Sequence, residues 1–167
     1  SCSDGGREAL VAAQRFPKDF DGIVAGAPAN YWTNLMTNAA VTMRALNKPG
    51  AWLSPDDLAL VSAAAQRACR SADGYLDNPG SCRFDPSTLA CKSGQNDHCL
   101  SEAQLGGLKA IYAGTKGADG KTINPGYPVG GEAGPVAWPL WITGSDPKRT
   151  AGSLMNLFAS GYFANMV

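Results

Sequence analysis

Near the start of this chain a serine stands where a short turn meets a helix. Ser1-Cys2-Ser3-Asp4-Gly5-Gly6 leads directly into Arg7-Glu8-Ala9-Leu10-Val11-Ala12-Ala13-Gln14-Arg15. A serine followed two residues later by glycine, at the point where a helix opens, has the form of a nucleophile elbow. That turn presents a hydroxyl alone at a helix N-terminus. A serine hydroxyl is inert until a base takes its proton and hydrogen-bond donors receive the charge of the tetrahedral intermediate. Ser3 is therefore the candidate nucleophile, and the backbone N–H of Asp4 the candidate oxyanion donor. Gly5 is expected to let strand and helix pack closely around the turn. The plainer alternative is that Ser3 only caps the helix, a common role for serine. The Gly5-Gly6 pair and a strand-like segment at the right distance favour the elbow.

A base is harder to find. On this type of scaffold the triad follows the order serine, acid, histidine. The only histidine is His98, set beside Cys99 in a loop-rich stretch. It reads as a solvated loop residue, which leaves the serine without a base among these residues, so these 167 residues alone are expected to be inactive. The strand that should precede the turn is also missing, so the chain reads as an internal piece of a hydrolase, and the lack of a signal peptide carries no meaning.

The elements that must position Ser3 follow from local pattern. Residues 7 to 16 predict a helix with Leu10 and Ala13 on one face, ended by Pro17. Residues 20 to 26 predict a short strand, apolar on both faces and buried. Elbow, helix and strand form one unit of a parallel sheet. A helix is expected over 33 to 46, with Leu35, Met36, Ala39, Met43 and Leu46 on one side. Another opens at Ser54-Pro55-Asp56-Asp57, with Ser54 as N-cap, and ends near Cys69. Ser101-Glu102-Ala103-Gln104 is a capping box, and Leu105, Leu108 and Tyr112 line the helix it starts, weakened by Gly106-Gly107. Ala118-Asp119-Gly120-Lys121 predicts a hairpin turn between Tyr112-Ala113 and Thr122-Ile123. Residues 124 to 147 are loop, and a last helix is expected over 150 to 160. The predicted class is α/β: residues 1–30 from a sheet-containing core, then residues 31–167 as a mostly helical, disulfide-stapled insertion.

Composition removes several classes. Lys+Arg and Asp+Glu balance at 14 each, so no basic face for nucleic acid is expected. No apolar run approaches a membrane span. Four of the five cysteines, Cys69, Cys82, Cys91 and Cys99, crowd one loop-rich segment. That points to disulfides formed in an oxidising compartment, secreted or periplasmic. A zinc site is the rival, but there is no C-x-x-C pair and one histidine only. Three pairings are open to four cysteines; the local one, Cys69–Cys82 with Cys91–Cys99, is the simplest. Cys2 is then odd, which suggests a partner outside this chain.

These residues also resemble a known family. Residues 2–10, Cys2-Ser3-Asp4-Gly5-Gly6-Arg7-Glu8-Ala9-Leu10, and residues 14–29, from Gln14-Arg15-Phe16-Pro17 to Ala27-Pro28-Ala29, are similar to the tannase and feruloyl esterase family. The resemblance continues through Cys82-Arg83-Phe84-Asp85-Pro86, Cys99-Leu100-Ser101, Ile111-Tyr112-Ala113-Gly114 and Trp141-Ile142-Thr143-Gly144. It implies a secreted α/β-hydrolase with a large lid, cleaving esters of aromatic acids such as gallate, ferulate and terephthalate monoesters. It implies that Ser3 is the catalytic serine and that Cys2 forms a disulfide to the residue after the catalytic histidine, both beyond Val167. It matches Cys69–Cys82 and Cys91–Cys99 to lid disulfides.

Two departures stand out. The family turn begins with glycine where this chain has Ser1, a larger residue expected to crowd it. The family lid also holds Ca²⁺ in an Asp-rich loop after the first lid cysteine. Here Cys69-Arg70-Ser71-Ala72-Asp73-Gly74-Tyr75 is shorter, Asp73 matches one carboxylate, the Tyr75 carbonyl matches one backbone ligand, and Arg70 replaces an acid. Ca²⁺ takes about six to eight oxygens, so a weak or empty site is expected, with Asp73 and Asp77 serving as turn residues. No cofactor is needed for the chemistry. Trp138 and Trp141, in the long loop, are the candidate aromatic wall for an acyl group. Arg7 is expected to pair with a nearby acid. The reading from another class is a disulfide-stapled binding module without catalysis; a third is a different serine hydrolase, such as a peptidase.

Overall fold

The structure, a computed structural model, describes residues 1–146 and 152–167. Its contacts divide the chain into two compact units, Ser1–Leu35 and Met36–Val167. The boundary drawn from the sequence falls a few residues earlier, before helix α2 (Trp32–Leu46).

The first unit is built on α1 (Asp4–Arg15) and on a chain reversal that brings residues 24–29 back beside Ser1–Ser3. Cys2 and Gly26 form an isolated parallel bridge. The Gly26 amide donates to the Ser1 carbonyl at 2.8 Å, and the Ser3 amide donates to the Gly26 carbonyl at 3.1 Å. The strand expected over residues 20–26 is not formed beyond this bridge, and Phe20 and Val24 are exposed at 52% and 81%. A strand buried on both faces needs neighbours and a covering layer on each side. Among the described residues this segment has one short partner. The apolar face read on α1 is likewise half-buried at Leu10 and exposed at Ala13, and Gly6 is the one buried residue of the helix.

The second unit is mostly helical. It packs α2, α3 (Pro55–Cys69) and α4 (Glu102–Ala113) around Met43, Leu46, Leu58, Val61, Leu105, Leu108 and Ile111. Both predicted N-caps form: Ser54 accepts from the Asp57 amide and Ser101 from the Gln104 amide, each completed by the reciprocal side-chain bond of a capping box. Such a cap satisfies two helix-end donors at once. Ser101→Ala is expected to lower stability by about 1 kcal/mol, read from the midpoint of chemical denaturation. Gly107, which weakens α4 by propensity, is buried where a Cβ would sit 2.8 Å from the Ala51 carbonyl. Its lack of a side chain is what allows α4 to approach the 47–53 connection.

After α4 the chain forms an antiparallel pair, β1 (Thr115–Lys116) and β2 (Thr122–Asn124). The predicted turn is present, but Tyr112 and Ala113 end α4 and are not part of the first strand. The long loop contains a π-helical turn, Pro139–Thr143, fixed by a hydrogen bond from the Trp52 indole to the Thr143 carbonyl at 3.1 Å. The last helix, α5 (Leu154–Asn165), opens at Ser153, whose hydroxyl accepts from the Asn156 amide. The expected start at residue 150 lies outside the described residues. Between α3 and α4, disulfides Cys69–Cys82 and Cys91–Cys99 close a stretch whose regular structure is two 3₁₀ turns, Pro79–Ser81 and Pro86–Leu89. No described helix is long and apolar enough to cross a membrane.

Candidate active site

Ser3 lies between the Cys2 bridge and the first turn of α1, with φ 57° and ψ −119°. That positive φ is costly for any residue with a Cβ, and it persists only where the surroundings over-determine it. They do so here. The Ser3 amide is committed to the Gly26 carbonyl, and the Ser3 carbonyl accepts from the Arg7 amide at 3.2 Å and the Ala29 amide at 2.9 Å.

The hydroxyl is not used as a cap. Ser3 occupies the N-cap position of α1 yet makes no side-chain hydrogen bond to the helix, whereas Ser54, Ser101 and Ser153 each accept from the amide three residues on. The difference is conformational: those three are extended, and Ser3 is not. Ser3 is an exposed residue at a helix N-terminus. Asp4 is the first helical residue, and its amide has no acceptor within the helix. The partial positive charge of that helix end favours an anion beside it. The Asp4 carboxylate is turned to Arg7, 2.7 Å away, an exposed pair worth little to stability.

The glycines divide their work differently from the sequence reading. Close packing falls on Gly6, where a Cβ would lie 2.5 Å from the Gly26 carbonyl oxygen and 3.0 Å from Pro28 Cα. Gly5 faces the N-terminal residue: a Cβ there would meet Ser1 Cβ at 3.0 Å. The bareness of Gly5 is thus what accommodates Ser1. Cys2 carries an exposed free thiol.

The other sequence candidates lie in the second unit. His98 is exposed in the loop closed by Cys91–Cys99. Trp138 is 5% exposed and sits edge-on to Tyr112, ring centroids 5.5 Å apart, so it is a core residue and not an open wall. Trp141 is partly exposed and tilts against Phe158. Asp73 and Tyr75 are exposed, and the Tyr75 carbonyl accepts from the Ser71 amide at 2.7 Å. Among the described residues no three metal-ligating side chains come together.

One buried acid escapes sequence reasoning altogether. Glu132 is fully buried in the long loop, where its Oε1 accepts from the Tyr112 hydroxyl at 2.6 Å and the Gly130 amide at 2.7 Å. Its Oε2 is buried with no hydrogen-bond partner among the described residues. Burial, then the bond to Glu132, pushes the Tyr112 hydroxyl well above the ordinary tyrosine range. No periodicity marks Glu132, because its partner lies on a helix twenty residues away.

Comparison with known proteins places these features in context. A family model described as "Tannase and feruloyl esterase" matches residues 1–167. An uncharacterized esterase from Xanthomonas campestris pv. campestris is 39% identical over 99% of this chain and 29% of its own length. A protein named "Probable feruloyl esterase B-2" from Aspergillus terreus is 33% identical over 86% of this chain and 28% of its own. Among solved structures, an esterase from Aspergillus oryzae superposes with a TM-score of 0.82 at 29% identity, over 99% of this chain and 32% of that one. Feruloyl esterase B from the same organism gives 0.71 at 25% identity, over 96% and 37%. The chain thus spans about a third of the length of these relatives.

Proposed function

Since the chain belongs to the tannase and feruloyl esterase family, we propose that it carries the nucleophile of a serine ester hydrolase acting on esters of aromatic acids, and that Ser3 is that nucleophile. The observation that carries this reading is the Ser3 backbone: a strained, fully hydrogen-bonded conformation that leaves the hydroxyl of an exposed residue uncapped at the start of α1.

In this reading Ser3 Oγ attacks the ester carbonyl while a base takes its proton. The alcohol leaves, and water then releases the acid from the acyl-enzyme. The Asp4 amide donates to the oxyanion of the tetrahedral intermediate, where an N–H fixed before the reaction needs no reorganisation. Arg7 holds the Asp4 side chain aside. His98, in a disulfide-closed loop of the second unit, is not assigned as the base. Exposed beside the nucleophile, Cys2 is free for the disulfide that the family resemblance gives it. The two disulfides favour an oxidising compartment, secreted or periplasmic. Calcium has no step in this reading.

The test is covalent labelling of the full-length protein, in which a base is supplied, with a fluorophosphonate. Label is expected on Ser3, absent from Ser3→Ala and unchanged in His98→Ala. Label that persists in Ser3→Ala would refute the assignment. The rival reading as a binding module predicts no label in any of the three proteins.

A further inference from the structure

The second unit contains a cleft of about 610 Å³ that no part of the proposed reaction uses. Its size is that of a small-molecule site. Phe84, Tyr112 and Tyr127 give it aromatic walls, and Pro86, Pro125 and Pro128 add flat apolar faces. Among the described residues that line it, Lys109 is the only charged one.

The walls are held rigidly. Tyr112 is tied through its hydroxyl to buried Glu132 and packs edge-on against Trp138, and Tyr127 tilts against the same indole with centroids 6.3 Å apart. Cys82, also in the wall, is bonded to Cys69. Rings fixed in advance lose little entropy when a flat ligand stacks on them. Lys109 is exposed and forms no ion pair among the described residues. Asp85 is near enough to feel its charge, but that carboxylate accepts from the Ser87 amide at 2.9 Å, which holds its carboxyl below the usual range.

From this geometry we infer that the cleft is a binding site for a small aromatic carboxylate, its ring against the apolar walls and its carboxylate at the Lys109 ammonium. The charge complement selects an anion, and the aromatic and proline faces select a planar ring. The inference concerns binding alone and rests on residues of the second unit, so it stands or falls independently of the proposed hydrolysis.

The experiment is calorimetric titration of the protein with three probes of like size: ferulate, its neutral amide and the cationic amine tyramine. Ferulate is expected to bind saturably, about tenfold more tightly than the amide. Lys109→Gln is expected to abolish that preference, and Val129→Trp, which fills the cleft, to abolish binding of both. Three results would each overturn the inference: no saturable binding of ferulate up to about 1 mM, a ferulate affinity unmoved by either substitution, or tyramine as the tightest ligand.

Discussion

In the full-length protein Ser3→Ala is expected to lower ester hydrolysis about ten-thousand-fold or more, the loss that follows removal of a serine nucleophile from a preorganised site. The substitution deletes one oxygen and leaves the backbone bonds of residue 3 in place, because those run through its amide and carbonyl. Alanine suffers the same positive φ as serine, so stability should change little. Ser3→Gly separates the two properties. Glycine adopts positive φ freely, so this variant should be as inactive as Ser3→Ala but more stable by about 1 kcal/mol. Turnover of a ferulate ester and thermal denaturation, measured side by side on the three proteins, check both halves. Residual turnover within tenfold of the parent in either variant would remove Ser3 from the reaction.

Gly6→Ala should be nearly as damaging to reactivity while leaving the hydroxyl intact. The added methyl would press on the Gly26 carbonyl and Pro28 Cα, both backbone atoms that cannot rotate away. Overpacking of this kind costs about 1–3 kcal/mol. Here the strain is relieved by moving the 26–29 reversal, which supplies the acceptor and a donor that hold Ser3 in its conformation. Fluorophosphonate labelling is expected to fall by more than about a hundredfold, the scale on which small misplacements act. Gly5→Ala serves as the contrast. Its methyl would meet the Ser1 side chain, so it should be milder, and combining it with Ser1→Gly should restore the parent rate of labelling. Equal labelling of Gly6→Ala and the parent protein would mean that the close approach does not support the site.

Much of the second unit could be read from local signals. A capping box spans four residues, and both Ser54 and Ser101 start helices where those signals place them. The helix of residues 33–46 follows from the spacing of Met36, Ala39, Met43 and Leu46, all buried here. The local disulfide pairing joins cysteines only 13 and 8 residues apart. What failed depends on distance. The strand over residues 20–26 was inferred from apolar composition, which carries no information about what lies on either side. Trp138 read as loop because prolines and glycines surround it, yet Tyr112 and Tyr127 enclose its ring.

By itself the sequence determined that a serine sits in a turn before a helix, which helices form and where they begin, and to which family the chain belongs. These are decided by neighbours within a few residues or by resemblance along the whole chain. Only the tertiary structure decided that Gly6, not Gly5, permits the close crossing at Gly26, that Ser3 withholds its hydroxyl from the helix, and that Glu132 is buried under Tyr112. Each of these depends on contacts between backbone or side chains brought together by the fold, where hard-sphere sterics and desolvation act across space and leave no periodic trace along the chain.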